Sequence, residues 1–175
     1  MKDVKAYILE FKQVRNFQEV NKDLLSDSTF RENLFALISE DEYPFPEYSS
    51  WIAIHFFEKY PMYFNEYELI WKTFVLTNNH SVQRNTLNAL VFTPFAIDEN
   101  GEVLNRVFEI IANPQSLPAN LFAGFKILEK HYLKKYPELL PELKAICLHL
   151  TQSEKASVKA MLRSFDKKHG LFSGK

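Results

Sequence analysis

Four apolar segments centred on alanine recur along the chain: Trp51-Ile52-Ala53-Ile54-His55-Phe56-Phe57, Leu87-Asn88-Ala89-Leu90, Phe122-Ala123-Gly124-Phe125 and Lys159-Ala160-Met161-Leu162. Their alanines stand 36, 34 and 37 positions apart. A second register accompanies the first: Lys59-Tyr60-Pro61 returns as Lys135-Tyr136-Pro137, 76 positions on. At the same offset Phe64, Tyr67, Ile70, Trp71 and Phe74 fall on Leu140, Leu143, Ile146, Cys147 and Leu150, an apolar stripe that suits one face of a helix. Self-similarity at this period marks stacked helical units, each too small to bury its own apolar face.

The rest of the chain fits an all-α reading of about ten helices with short loops. Two weakly periodic, charge-rich helices near Lys2–Lys12 and Phe17–Leu25 suit an N-terminal cap over residues 1–27, followed by repeats over 28–170 and a frayed tail at 171–175. Thr29-Phe30-Arg31-Glu32 and Thr151-Gln152-Ser153-Glu154 both match the capping box, so helices are expected from about Phe30 and just after Glu154. Glu40 to Pro46, with three acids and two prolines, reads as a loop, and helical periodicity resumes at Tyr48 without a domain boundary. Asn113-Pro114-Gln115-Ser116 is a further loop, and Gly170 after Lys167-Lys168-His169 is a helix end. A chain of 175 residues can bury about 70% of its unfolded surface, enough for a core without staples. The excess of 16 Phe and 8 Tyr is therefore assigned to ridges between helices, and Trp51 and Trp71 to the core.

Pro141-Glu142-Leu143-Lys144-Ala145-Ile146-Cys147-Leu148-His149-Leu150, a polar turn, then Ala156-Ser157-Val158-Lys159-Ala160-Met161-Leu162 resembles a HEAT or armadillo-type unit. Val82-Gln83-Arg84 and Val158-Lys159 occupy the place where such second helices open. Over Phe30 to His169 the resemblance implies an α-α superhelix, a HEAT/armadillo-like solenoid in a single domain. Adenylosuccinate lyases carry Ser-Ser-x-Met-Pro-x-Lys-x-Asn on a flexible loop. Ser49-Ser50-Trp51 keeps only the two serines, so that activity is not carried over.

No catalytic motif accompanies the repeats. None of the 4 glycines sits in a phosphate-cradling loop. His55, His80, His131, His149 and His169 form no His-x-x-x-His pair, so neither a metal nor a cofactor is expected. Cys147, alone, reads as a small buried hydrophobe, and Gly124 as a point of close helix approach. No stretch reaches the roughly 20 apolar residues of a membrane span, and the charged N-terminus is no signal peptide, so the cytoplasm is the default expectation.

Charge is segregated. Residues 1–123 hold 10 Lys plus Arg against 17 Asp plus Glu, whereas residues 124–175 hold 11 against 5. Lys126, Lys130 and Lys134 recur at i, i+4, i+8, as do Lys155, Lys159, Arg163 and Lys167 four apart, so each series forms a drifting stripe on its helix. The HEAT resemblance places second helices on an inner face, which implies two basic rows lining a groove. The expected function is a non-catalytic interaction protein binding a partner protein or peptide along that face. The alternative is a nucleic-acid-binding or DNA-repair module, since some alkylpurine DNA glycosylases share HEAT-like architecture. A net charge of −1 weighs against it. Ordinary solvated lysines or head-to-tail self-association would leave the same asymmetry.

Overall fold

The computed structural model describes residues 3–64, 67–94, 97–170 and 172. Among them the chain forms ten α-helices and no strand, the all-α repeat architecture expected from the sequence. They fall into two compact units, Met1–Phe95 and Ala96–Lys175. The first holds α1 (Val4–Val14), α2 (Phe17–Ser26), α3 (Ser28–Ala36), α4 (Phe45–Lys59), α5 (Tyr67–Leu76) and α6 (His80–Val91). The second holds α7 (Gly101–Ala112), α8 (Pro118–Ile127), α9 (Leu140–Leu150) and α10 (Ala156–His169). The 171–175 tail lies outside the described residues, except Phe172, whose amide donates to Asp166 Oδ1 at 2.7 Å.

Short polar side chains start five of the helices by accepting amide protons that the first turn leaves unpaired. Asp3, Asn16, Asp27, Asn79 and Asn100 act this way. Neither expected capping box forms. Asp27 stands two residues ahead of Thr29 and accepts from the Phe30 amide at 2.9 Å, so α3 begins at Ser28. Thr151 closes the preceding helix instead, its Oγ1 donating to the Leu148 carbonyl at 2.6 Å. α10 therefore starts at Ala156 behind Lys155, without a side-chain cap. α4 likewise starts at Phe45, earlier than Tyr48, because a proline at 46 fits a first helical turn that needs no amide hydrogen.

In the first unit α4 packs on α6, and α5 on α6. Phe35, Phe56 and Phe57 are each 0% exposed; burial of one such side chain contributes about 1.5–3 kcal/mol. Phe57 stacks on Phe64 at 4.2 Å and Phe35 at 5.2 Å between ring centroids, ridges of the expected kind. A polar seam runs through the α4–α6 contact: Asn85 Nδ2 donates to Ser50 Oγ at 3.0 Å, and Ser50 donates to the Glu47 carbonyl at 3.0 Å. Trp51 and Trp71 are half-buried rather than core. Trp51 lies edge-on to Phe17 at 5.0 Å, where α1 and α2 meet α4, and the Arg15 guanidinium sits 5.8 Å from its ring.

In the second unit α8 is followed directly by a π turn at Leu128–Tyr132, in which the Leu133 amide reaches five residues back to the Leu128 carbonyl at 2.9 Å. His131, Tyr132 and Leu133 are consecutively buried, and the Tyr132 hydroxyl donates to the Asn100 carbonyl at 3.0 Å. Gly124 is where α8 meets α7: a Cβ there would stand 2.7 Å from Ile111 Cγ2, so the expected close approach is real.

The Lys-Tyr-Pro register is the one the packing follows. Tyr60 (φ −130°, ψ 60°) and Tyr136 (φ −123°, ψ 67°) leave their helices alike, and each opens a 3-10 turn on the next proline. Each tyrosine ring carries the preceding lysine, at 5.3 Å for Lys59 and 5.5 Å for Lys135. At this offset buried positions coincide: Phe56 with Tyr132, Phe57 with Leu133, Val82 with Val158, Ala89 with Phe165. The alanine register departs from it. Ala53, Ala89 and Ala123 are each 1% exposed but Ala160 is exposed, because α10 buries Val158, Met161, Leu162 and Phe165 instead.

Candidate functional site

Lys126 ends α8, Lys130 lies on the π turn and Lys134 just beyond it. The sequence places all three on one α-helical stripe, and the π turn breaks that stripe, because a turn closed over five residues no longer returns every fourth side chain to one line. Phe122, 37% exposed, stands one α-turn before Lys126, so an aromatic edge and a cation share the outer face of α8. Lys130 is exposed as a residue while its ammonium is partly desolvated, which lowers its pKa.

Lys159, Arg163 and Lys167 are exposed along α10, with Lys155 at its start. The α10 side chains that reach the α8 segment are Phe165, whose ring is 4.7 Å from Phe125, and Lys168 and His169, which meet the Glu129 carboxylate at 3.0 Å each. The two rows are therefore brought to neighbouring elements by a contact that uses other residues. Lys126, Lys134, Lys155, Lys159, Arg163 and Lys167 form no ion pair among the described residues. Lys155 also lines a cavity of about 230 Å³, with His149, Gln152 and Ser153 at its mouth and Leu121, Leu150 and Val158 as its floor.

Among the described residues no group of three or more His, Cys, Asp or Glu could hold a metal ion. Cys147 is buried, and burial pushes its thiol up to about 12, which keeps it protonated and unreactive at neutral pH. The five histidines lie apart, and the acids beside loops hold structural pairs, Asp98 and Glu99 with Lys135 at 2.7 and 3.2 Å.

The family model of the HEAT repeat domain matches residues 8–169. The chain belongs to that family. Neither a comparison with curated proteins nor one with solved structures found a match. HEAT repeats commonly serve as protein-interaction modules. No helix among the described residues is long and apolar enough to cross a membrane. What the sequence did not reveal in this HEAT array is the Glu129 clamp and the π turn beside it. The clamp joins residues about 40 apart, and the π turn leaves no composition mark.

Proposed function

We propose that this HEAT chain is a non-catalytic interaction protein, and that its second unit takes an acidic segment of a partner protein or peptide. The observation that carries the reading is the set of six exposed cations without an ion pair among the described residues, Lys126 on α8, Lys134 past the π turn, Lys155 just before α10 and Lys159, Arg163 and Lys167 on it, with an exposed phenylalanine on α8. Cations without intramolecular ion pairs need break none when a carboxylate binds, and they raise the association rate by attraction at a distance. Phe122 supplies a contact that a phosphate backbone does not use, and the overall charge of −1 is unlike that of a dedicated nucleic-acid binder.

The test is binding of the purified chain, over a salt series, to labelled peptides built from Glu and Phe and to single- and double-stranded DNA and RNA. Peptide binding that weakens in Lys126→Glu and in Phe122→Ser supports the reading. Nucleic-acid binding that falls steeply with salt and disappears in Lys159→Glu/Arg163→Glu replaces it with the nucleic-acid alternative.

A further inference from the structure

We propose that the first unit carries a separate docking cleft for a partner segment that joins an aliphatic side chain to a lysine or arginine. The cleft measures about 570 Å³ and lies between the loop that leaves α3 and the α5–α6 connection. Ile38 and Val82, each 1% exposed, form its floor, and Leu69 stands on one wall. On the same wall Leu76 is 77% exposed, so the rim offers an aliphatic surface that nothing among the described residues covers.

The charge on the rim selects the rest of the ligand. Glu40 and Asp41 line the cleft and Glu42 follows them. Two of the three acids share one cation, Lys5, which meets Glu40 at 2.8 Å and Glu42 at 3.5 Å, while Asp41, exposed, has no ion pair among the described residues. Lys72, on the opposite wall, is already bound to Glu68 one turn earlier. The rim therefore keeps net negative charge beside an apolar floor, the complement of an aliphatic residue next to a cation. A volume within the range of ligand pockets, open to solvent, admits one such side-chain pair on a chain passing across it.

The second unit contains the same cleft with the chemistry reversed. Its 230 Å³ cavity is lined 76 positions on, with Pro114 in the place of Ile38 and Val158 in the place of Val82. Ser116 replaces Glu40, Gln152 replaces Leu76, and Lys155 replaces Asn79. The repeat thus builds a cleft at this edge whatever its lining. An acidic rim and an exposed leucine are particular to the first, so this site stands or falls apart from the basic surface of the second unit.

The test is selection from a random dodecapeptide phage library on the whole chain, with Asp41→Lys/Leu76→Asp in parallel. Enrichment of sequences pairing Leu, Ile or Val with Lys or Arg is expected on the native protein and not on the variant. A synthetic peptide from the selection should lose about tenfold or more in affinity with the variant and keep it with Lys155→Glu. No enrichment, enrichment of acidic peptides, or equal binding to the double variant overturns the proposal. Both altered side chains face solvent, so the fold is expected to persist, checked by circular dichroism. If the double variant unfolds, Leu76→Ser carries the same comparison.

Discussion

Gly124→Ala should destabilise the protein, against the usual sign of that exchange inside a helix. Alanine at an ordinary helical position gains about 1 kcal/mol over glycine. Here the new Cβ would stand 2.7 Å from Ile111 Cγ2 and 3.5 Å from Val107 Cγ1, and both partners are 0% exposed with no room to retreat. Overpacking of this kind costs about 1–3 kcal/mol, so the net change is a loss of about 1 kcal/mol, or about 2–4 °C in melting temperature at this chain length. Leucine at position 111 branches one carbon further out and has no Cγ2. Ile111→Leu alone should cost less than about 1.5 kcal/mol. In Gly124→Ala/Ile111→Leu the clash is gone and the helical gain of alanine returns, giving a favourable coupling of about 0.5 kcal/mol or more in a double-mutant cycle read by thermal or urea unfolding. A rise in melting temperature for Gly124→Ala, or an additive cycle, would refute the claim that Ile111 sets the α7–α8 spacing.

Asp27→Ala should cost about 1 kcal/mol in urea unfolding as α3 loses its cap, while Thr29→Ala should be close to neutral; the reverse ranking would restore the capping box that the structure replaces. Cys147 should resist a chromogenic thiol reagent in the native protein and react once guanidinium unfolds it. Its buried thiol stays protonated up to about 12, whereas the unfolded thiol ionises near its ordinary value of 9.0. The unfolded state thus sheds a proton first, so stability contributed by this group falls as pH rises from 9 towards 12 and is constant below; Cys147→Ala should remove that slope.

The helical class, the loops and the buried Cys147 were legible because each has a local cause: an apolar stripe at helical spacing, a proline, a lone small hydrophobe. The repeat was legible in one of two registers. Lys-Tyr-Pro marks a backbone corner, where proline restricts the chain, and so it tracks structure directly. Alanine marks only a lack of bulk, which many packing arrangements use, and Ala160 proved to lie on the exposed side of its helix. The basic residues were found but their mutual placement was not. A heptad-like count assumes an unbroken α-helix, and the π turn at Leu128–Tyr132 changes the phase without any proline or glycine to announce it. Glu129, which holds Lys168 and His169, belongs to a contact of long sequence separation that periodicity does not address.

The shared corner at Tyr60 and Tyr136 sets the period of the whole array. Helices α3–α6 and α7–α10 follow the same order at an offset of 76 positions, with Phe56 and Tyr132, Phe57 and Leu133, Val82 and Val158, and Ala89 and Phe165 buried alike. The two stretches carry opposite net charge, 9 basic against 13 acidic residues in 1–95 and 12 against 9 in 96–175. One repeat plan thus tolerates either sign of charge on its surface, because the corner and the buried positions, not the exposed ones, define it.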